Sequence, residues 1–325
     1  MTIPRLSVSL GYWQDRPPEE ALVTAEVADR LGYGELWIGE MATYDAFALA
    51  TRVAEVTGQI SLTIGPLPVS VRDPMTIARG VASVAGLTGR AVGVAVGTSS
   101  DVVVADWHGR DRRRAGTALR ESAVALRQLL DGHKTTFEGE VVRTRGYHLR
   151  LPAPESELTV AAFGPSAVRT AALHADRMVL NLITPRSAAA LVDRMRDEAK
   201  RADRAVPRVA AWVTAAVDPS DAAIEQIRRA VVAYLAAPGY GEMFAEAGFE
   251  DLVRFARTRP HPRDLLAEIP RELVAAIGLV GDHATMRSRL AEYAAAGVDE
   301  VAMVAASVPD DPGGERTLAA LRALA

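Results

Sequence analysis

The sequence predicts an α/β fold, a single (β/α)8 barrel with insertions. Three observations carry that expectation. Short β-prone runs alternate with helical patterns through almost the whole chain, which is the arrangement of parallel βα units. The runs are mostly continuous apolar stretches, as strands covered on both faces require. Helix exits of one kind recur far apart, at Leu31-Gly32-Tyr33-Gly34-Glu35 and at Ala296-Gly297-Val298-Asp299-Glu300, each placing glycine where a helix ends and a strand soon begins.

The predicted strands are Arg5–Leu10, Glu35–Ile38, Ile60–Ile64, Ala91–Ala95, Leu158–Ala162, Met178–Leu182, Arg208–Val217 and Glu300–Val304. Eight of them favour closure into a barrel. Between them, Leu119, Ala123, Leu126 and Leu130 fall on one helix face, and Met286, Leu290, Tyr293 and Gly297 on another. Two stretches break the rhythm and read as insertions in one domain spanning 1–325. Residues 131–157 predict an extended excursion with a hairpin-like turn at Gly139. Residues 219–284 predict several helices interrupted by Pro238-Gly239, Pro260-His261-Pro262 and Pro270.

Composition narrows the function. The chain has 325 residues, 49% of them hydrophobic and 24% charged, enough apolar surface for a large core. Its net charge of −4 argues against a nucleic-acid partner, which would need a basic field. A small-molecule partner is expected instead. Lys134 and Lys200 are the two lysines, so anion contacts fall to arginine or to the backbone. The absence of cysteine excludes disulfides, thiolate catalysis and thiolate metal sites, and no metal is expected. The start, Met1-Thr2-Ile3-Pro4-Arg5, shows no secretory pattern and no apolar run approaches a membrane span, so a cytoplasmic location with no membrane partner is expected.

The dinucleotide fingerprint, the phosphate loop ending in Gly-Lys-Ser/Thr, the nucleophile elbow and the paired-histidine zinc helix are all absent. In a barrel, chemistry belongs to the loops after the C-terminal strand ends. Those loops hold Gly11-Tyr12-Trp13-Gln14, then Glu40 with Tyr44-Asp45, then Gly65-Pro66-Leu67 running on to Pro74. Gly97-Thr98-Ser99, Trp107-His108 and Phe163-Gly164-Pro165 follow. Phe163-Gly164-Pro165-Ser166 opens a helix, whose free amides bind phosphate without any lysine. Equally, Gly164 makes a tight turn and Pro165 simply starts the helix. Gly65-Pro66 is expected to end the third strand inside the barrel mouth. A cis bond there costs only about 0.5–1 kcal/mol, although trans is the commoner form.

Glu40 follows a strand directly. It is a proton donor or acceptor if the mouth desolvates it, and otherwise a solvated or capping carboxylate. His108 is an acid, a phosphate contact or a loop hydrogen-bonder. Trp13, Tyr44 and Trp107 are candidates to wall a substrate pocket, the tryptophans being equally suited to packing under a loop. The run Arg110-x-Arg112-Arg113-Arg114 suits an anionic ligand tail or a solvated face.

In this order the segments resemble the luciferase-like monooxygenase superfamily, and within it the branch that uses the deazaflavin coenzyme F420. The resemblance spans nearly the whole chain. Its pieces are Leu31-Gly32-Tyr33 through Trp37-Ile38 to Glu40 with Tyr44-Asp45, the third-strand segment through Pro74, Gly97-Thr98-Ser99-Ser100 with Trp107-His108-Gly109, Ala162-Phe163-Gly164-Pro165, and Leu279-Val280-Gly281. It implies a bacterial luciferase-like barrel with a ring-shaped cofactor at its mouth, backed by a bulge at Gly65-Pro66-Leu67. The cofactor phosphate is implied near Gly97, Thr98, Ser99 and Phe163, Gly164, Pro165, with an acidic tail running toward arginines. The implied activity is hydride transfer between F420 and a small organic substrate in a homodimer, with Glu40 or His108 exchanging the proton. The same superfamily also offers reduced FMN and oxygen as an alternative, and fold resemblance leaves a non-catalytic cofactor-binding barrel open. Glu40 stands where relatives acting on sugar phosphates or alcohols carry histidine, so their substrates are not carried over.

Overall fold

The computed structural model describes residues 3–13 and 15–324; Met1, Thr2, Gln14 and Ala325, including the part of the start and of the first loop named above, lie outside the described residues. The described strands are β1 (Arg5–Ser9), β2 (Glu35–Ile38), β3 (Ser61–Pro68), β4 (Val92–Gly97), β5 (Thr135–Glu138), β6 (Arg143–Tyr147), β7 (Leu158–Ala161), β8 (Arg177–Asn181), β9 (Arg208–Val217), β10 (Leu279–Gly281) and β11 (Glu300–Ala305). β5 and β6 form a separate antiparallel hairpin whose turn is closed by Gly139 N donating to Val142 O at 2.9 Å. The others lie in one sheet ordered β10-β9-β11-β1-β2-β3-β4-β7-β8, with β9 also bonded to β8. The eight predicted strands are the staves of a (β/α)8 barrel.

Two expectations about the strands are corrected. The third strand does not stop at Gly65-Pro66 but continues to Pro68. Its pairing with β4 shifts register between Ile64 and Leu67, then resumes as Leu67 opposite Val96 and Pro68 opposite Gly97. The Gly65–Pro66 bond is cis. The 219–284 stretch also holds a strand besides its helices, since Leu279, Val280 and Gly281 pair in parallel with Ala215, Ala216 and Val217 of β9. Three residues are too few to show a periodic signal.

The chain divides into two compact units, Met1–Tyr33 with Leu180–Val192 and Ala210–Ala325, and Gly34–Val179 with Asp193–Val209. In the first, β11 pairs in parallel with both β1 and β9. The helix Asp221–Val232 is pinned there by Gln226, whose side chain bonds both Ser307 N and Ser307 O. The helix His283–Ala295 buries Met286, Leu290 and Tyr293. Gly297 is not on its stripe: the helix ends before it, and Gly297 takes the left-handed exit at φ 82°.

In the second unit, Leu119, Ala123, Leu126 and Leu130 are fully buried along the helix Ala115–Leu130. Each leucine contributes on the order of 2 kcal/mol of burial. At the N-terminal ends of the strands sits a fully buried guanidinium. Arg177 donates to both Glu35 oxygens, at 2.7 and 3.1 Å, and to Thr63 and Thr159 hydroxyls at 3.0 and 3.1 Å. Its carbon centre lies 4.2 Å from the Trp37 ring centroid. A buried charge survives only when paired and hydrogen-bonded, and this one is. The network occupies the end of the barrel opposite the chemistry-bearing loops.

Candidate active site

In the Gly34–Val179 unit, the strand order β3-β4-β7 sets three C-terminal strand ends side by side. A Cβ built on Gly97 would lie 3.2 Å from Ala161 Cβ and 3.6 Å from Pro66 Cβ, so these three ends touch. Gly65 adopts φ 118°, and its Cβ would stand 2.1 Å from Ala95 O, so only glycine fits the bulge. Leu67 is fully buried and supports the bulge from within. The structure thereby brings together Gly65, Pro66, Leu67, Gly97 and Thr98. Ser99 follows at φ 55°, and its carbonyl accepts from Arg112 Nε at 3.1 Å and also from Nη2.

After β7, Gly164 is the N-cap of the helix Pro165–His174, with Pro165 in the first turn. Gly164 has φ −82°, open to any residue, and a Cβ there would meet nothing within 4 Å. Neither the turn nor the packing demands glycine; the face is open. The first intrahelical bond runs from Val168 N to Gly164 O, leaving the Ser166 and Ala167 amides outside the ladder. A Cβ on Gly116 would lie 2.8 Å from Ser166 Oγ, so the start of the helix Ala115–Leu130 abuts this helix start.

Glu40 is engaged rather than solvated. Arg72 Nε donates to Glu40 Oε2 at 2.8 Å, Arg72 Nη2 donates to Oε1, and Ala46 N approaches Oε1 at 3.3 Å. The same Arg72 nitrogen bonds Asp45, which caps the helix Ala46–Val56 by accepting from Phe47 N and Ala48 N at 3.0 Å. Arg72 also stands 5.3 Å from the Phe47 ring centroid. Its pKa is raised, chiefly by the hydrogen bond to Glu40. Burial pushes the Asp45 carboxyl up, but the Ala48 amide and Arg72 outweigh it and hold it below its ordinary value.

Tyr44 and Trp107 are exposed, and His108 caps a short π-helical turn, Val102–Trp107, with its ring exposed. Trp13 belongs to the other unit, where its indole donates to Ala305 O at 3.1 Å and packs against a buried cluster containing Ile224, Ile227 and Val308. The arginine run is mostly committed: Arg112 braces Ser99, Arg113 pairs with Asp111 at 2.7 Å and Arg114 with Glu140 at 3.2 Å.

Besides Arg72, sequence reasoning missed two groups. Glu121, buried on the helix Ala115–Leu130, accepts from the backbone amides of Glu140, Val141 and Val142 at 3.0, 2.9 and 2.9 Å. Burial raises its pKa, yet these three amides bring it below the ordinary value. In the other unit, Asn181 at the C-terminal end of β8 donates to Tyr240 Oη at 3.2 Å, and Tyr234 packs edge-on against Tyr240 at 4.9 Å. Burial pushes the pKa of both phenols up. An acid on an apolar helix stripe and an asparagine ending an apolar strand were the available signals.

The luciferase-like monooxygenase family profile matches residues 2–300. A Mycobacterium tuberculosis protein provisionally named as a coenzyme F420-dependent oxidoreductase is 24% identical, over 93% of this chain and 95% of its own. The 5,10-methylenetetrahydromethanopterin reductase of Methanopyrus kandleri is 21% identical over 94% of each chain. The solved structure of the F420-dependent reductase from that organism superposes with a TM-score of 0.81 at 20% identity, covering 99% of this chain and 98% of that one. The FMN complex of a type II Baeyer-Villiger monooxygenase component from Pseudomonas putida superposes at 0.71 with 17% identity, covering 98% and 96%.

Proposed function

Because this chain belongs to the luciferase-like monooxygenase family, we propose that it is a coenzyme F420-dependent oxidoreductase that passes a hydride between the deazaflavin and a small organic substrate. The observation that carries this reading is the contiguity of the β3 bulge with Gly97, together with the open helix start at Gly164. The bulge offers a rigid backing for a flat ring, and the Ser166 and Ala167 amides at a helix N-terminus suit a phosphate. Thr98 and Ser99 stand at the end of β4, with Arg112 holding the loop in place. When bound, a deazaflavin supplies hydride chemistry with little reaction toward oxygen, while the protein fixes geometry and shields the ring.

Glu40 and His108 are the proposed proton handlers, with Tyr44 and Trp107 as walls of the substrate pocket. Trp13 serves as packing in this reading, since its indole N–H and ring are both in use. A homodimer is expected from the family resemblance, and sedimentation tests it. The FMN monooxygenase is the second reading, supported by the FMN-bound neighbour at the lower TM-score.

Titration of the purified protein with F420 and, separately, with FMN, followed by cofactor fluorescence, tests the assignment. Micromolar or tighter F420 binding with FMN ignored is the expected result. Preference for FMN, joined to substrate-dependent oxygen uptake with a flavin reductase, moves the assignment to the monooxygenase.

A further inference from the structure

We propose that a cavity of the Gly34–Val179 unit, lined by residues other than the Gly65, Gly97 and Gly164 cradle, is built to take an organic carboxylate. The cavity measures about 600 Å3, within the range of small-molecule sites, about 300–1,000 Å3. Val69, Val71, Met75 and Val142 give it an apolar lining, and Arg110 and Arg143 also face it.

Charge accounting at the cavity favours an anion. Three carboxylates line it, and each is already engaged. Asp73 caps the helix Pro74–Thr88 by accepting from Thr76 N at 2.9 Å. Asp111 holds Arg113, and Glu140 pairs with Arg114. Among the described residues, Arg110 has no carboxylate partner, and Arg143 donates Nε to Gly139 O at 3.1 Å with no carboxylate on its outer nitrogens. Two guanidiniums beside an apolar floor match an organic carboxylate, since each fork can bond a carboxylate at two points.

One wall is fixed in advance. The Glu140–Val142 turn is held by the three amide bonds to Glu121. Gly139 permits this approach because a Cβ there would fall 2.3 Å from Glu121 Oε2. A wall that is already ordered lowers the entropy lost on binding.

Two sources can supply the carboxylate: the acidic tail of F420, which rests on the reading above, or the substrate itself. Calorimetric titrations of the full chain with F420, with the tail-less deazaflavin alcohol and with octanoate separate them, using wild type and Arg110→Ala/Arg143→Ala. Both arginines are exposed, and an unchanged melting temperature checks that the variant folds. At least a tenfold loss of F420 affinity, with the tail-less compound unaffected, assigns the cavity to the tail. A tenfold loss of octanoate affinity with F420 unaffected, and a shift of the Met75 methyl resonance in wild type, assigns it to substrate. Arginine-independent binding of F420 together with absent or arginine-independent binding of octanoate overturns the proposal. If neither deazaflavin binds wild type, the cofactor reading fails while the octanoate arm still decides the cavity.

Discussion

Glu121→Gln is the sharpest test of how the hairpin is held. The change keeps size and removes charge, and it converts one acceptor oxygen into a donor. In the native protein Oε1 serves Glu140 N and Oε2 serves Val141 N and Val142 N. A glutamine oriented to keep the latter pair sets its amide nitrogen against the Glu140 N–H. One charge-assisted bond, worth about 1.5–3 kcal/mol, is then lost, and two fall to neutral strength, about 0.5–1.5 kcal/mol each. Water at this exposed turn recovers part of that, which leaves a cost of roughly 2–4 kcal/mol. Amide hydrogen exchange at Glu140, Val141 and Val142 reads it directly, because every 1.4 kcal/mol is tenfold, so protection falls roughly 30- to 700-fold. If opening is coupled to global unfolding, the melting temperature drops by about 3–6 °C for a chain of this size. Gly139→Ala pushes on the same oxygen from the other side and should cost less in the Glu121→Gln background than in wild type. Wild-type exchange at all three amides in Glu121→Gln would refute the claim that this carboxylate holds the turn.

Other expectations are more compact. Arg177→Met leaves Glu35 buried without its guanidinium and should destabilise by about 3–5 kcal/mol, measured by urea unfolding; Arg177→Met with Glu35→Leu should recover much of that. The carboxyls of Glu20, Asp45 and Glu121 are held below their ordinary values, so their stabilisation is full above the unfolded value, about 4, and is lost as pH falls through the folded ones; a melting temperature that rises on acidification below that point contradicts the assignment. Gly164→Ala is compatible with φ −82° and meets no neighbour, so the fold should lose about 1 kcal/mol or less while F420 affinity falls at least tenfold; unchanged affinity removes this helix start from the cofactor site. Asp45→Asn weakens the second anchor of Arg72 and should shift the pH profile of turnover, whereas Glu40→Gln with full turnover at every pH removes Glu40 from proton handling.

The barrel was legible because its strands are buried on both faces and leave unbroken apolar runs, and because Gly32 marks a helix exit at φ 75°. The proposed cofactor cradle was legible in part. Phe163-Gly164-Pro165 reads as a helix start from local chemistry alone, and the structure agrees. What pairs with Glu40 was not legible: Arg72 lies 32 residues away, and only β2 and β3 pairing brings them together. Arg177 escaped for a similar reason, since an arginine at a strand start reads as exposed until Glu35, Thr63 and Thr159 are set around it by neighbouring strands. Trp13 was ambiguous because an indole walls a pocket or packs a core equally well, and only its bond to Ala305 O separates the uses.

The clamp on Glu40 bears on the proposed chemistry. A carboxylate has about four lone-pair sites; the Arg72 fork takes two and Ala46 N faces a third, so proton exchange at Glu40 is eased if Arg72 yields. Arg72 has somewhere to go, because its Nη2 already bonds Asp45, whose own position is fixed by capping a helix. Moving the fork from Glu40 toward Asp45 exchanges one ion pair for a stronger grip on another, which costs far less than exposing an unpaired guanidinium. Glu40 would then gain a free oxygen without either acid losing its cation entirely. On this geometry the pair Asp45 and Arg72 governs when Glu40 is available, and histidine at the Glu40 position would abolish the clamp, since a neutral imidazole cannot hold a guanidinium at two points.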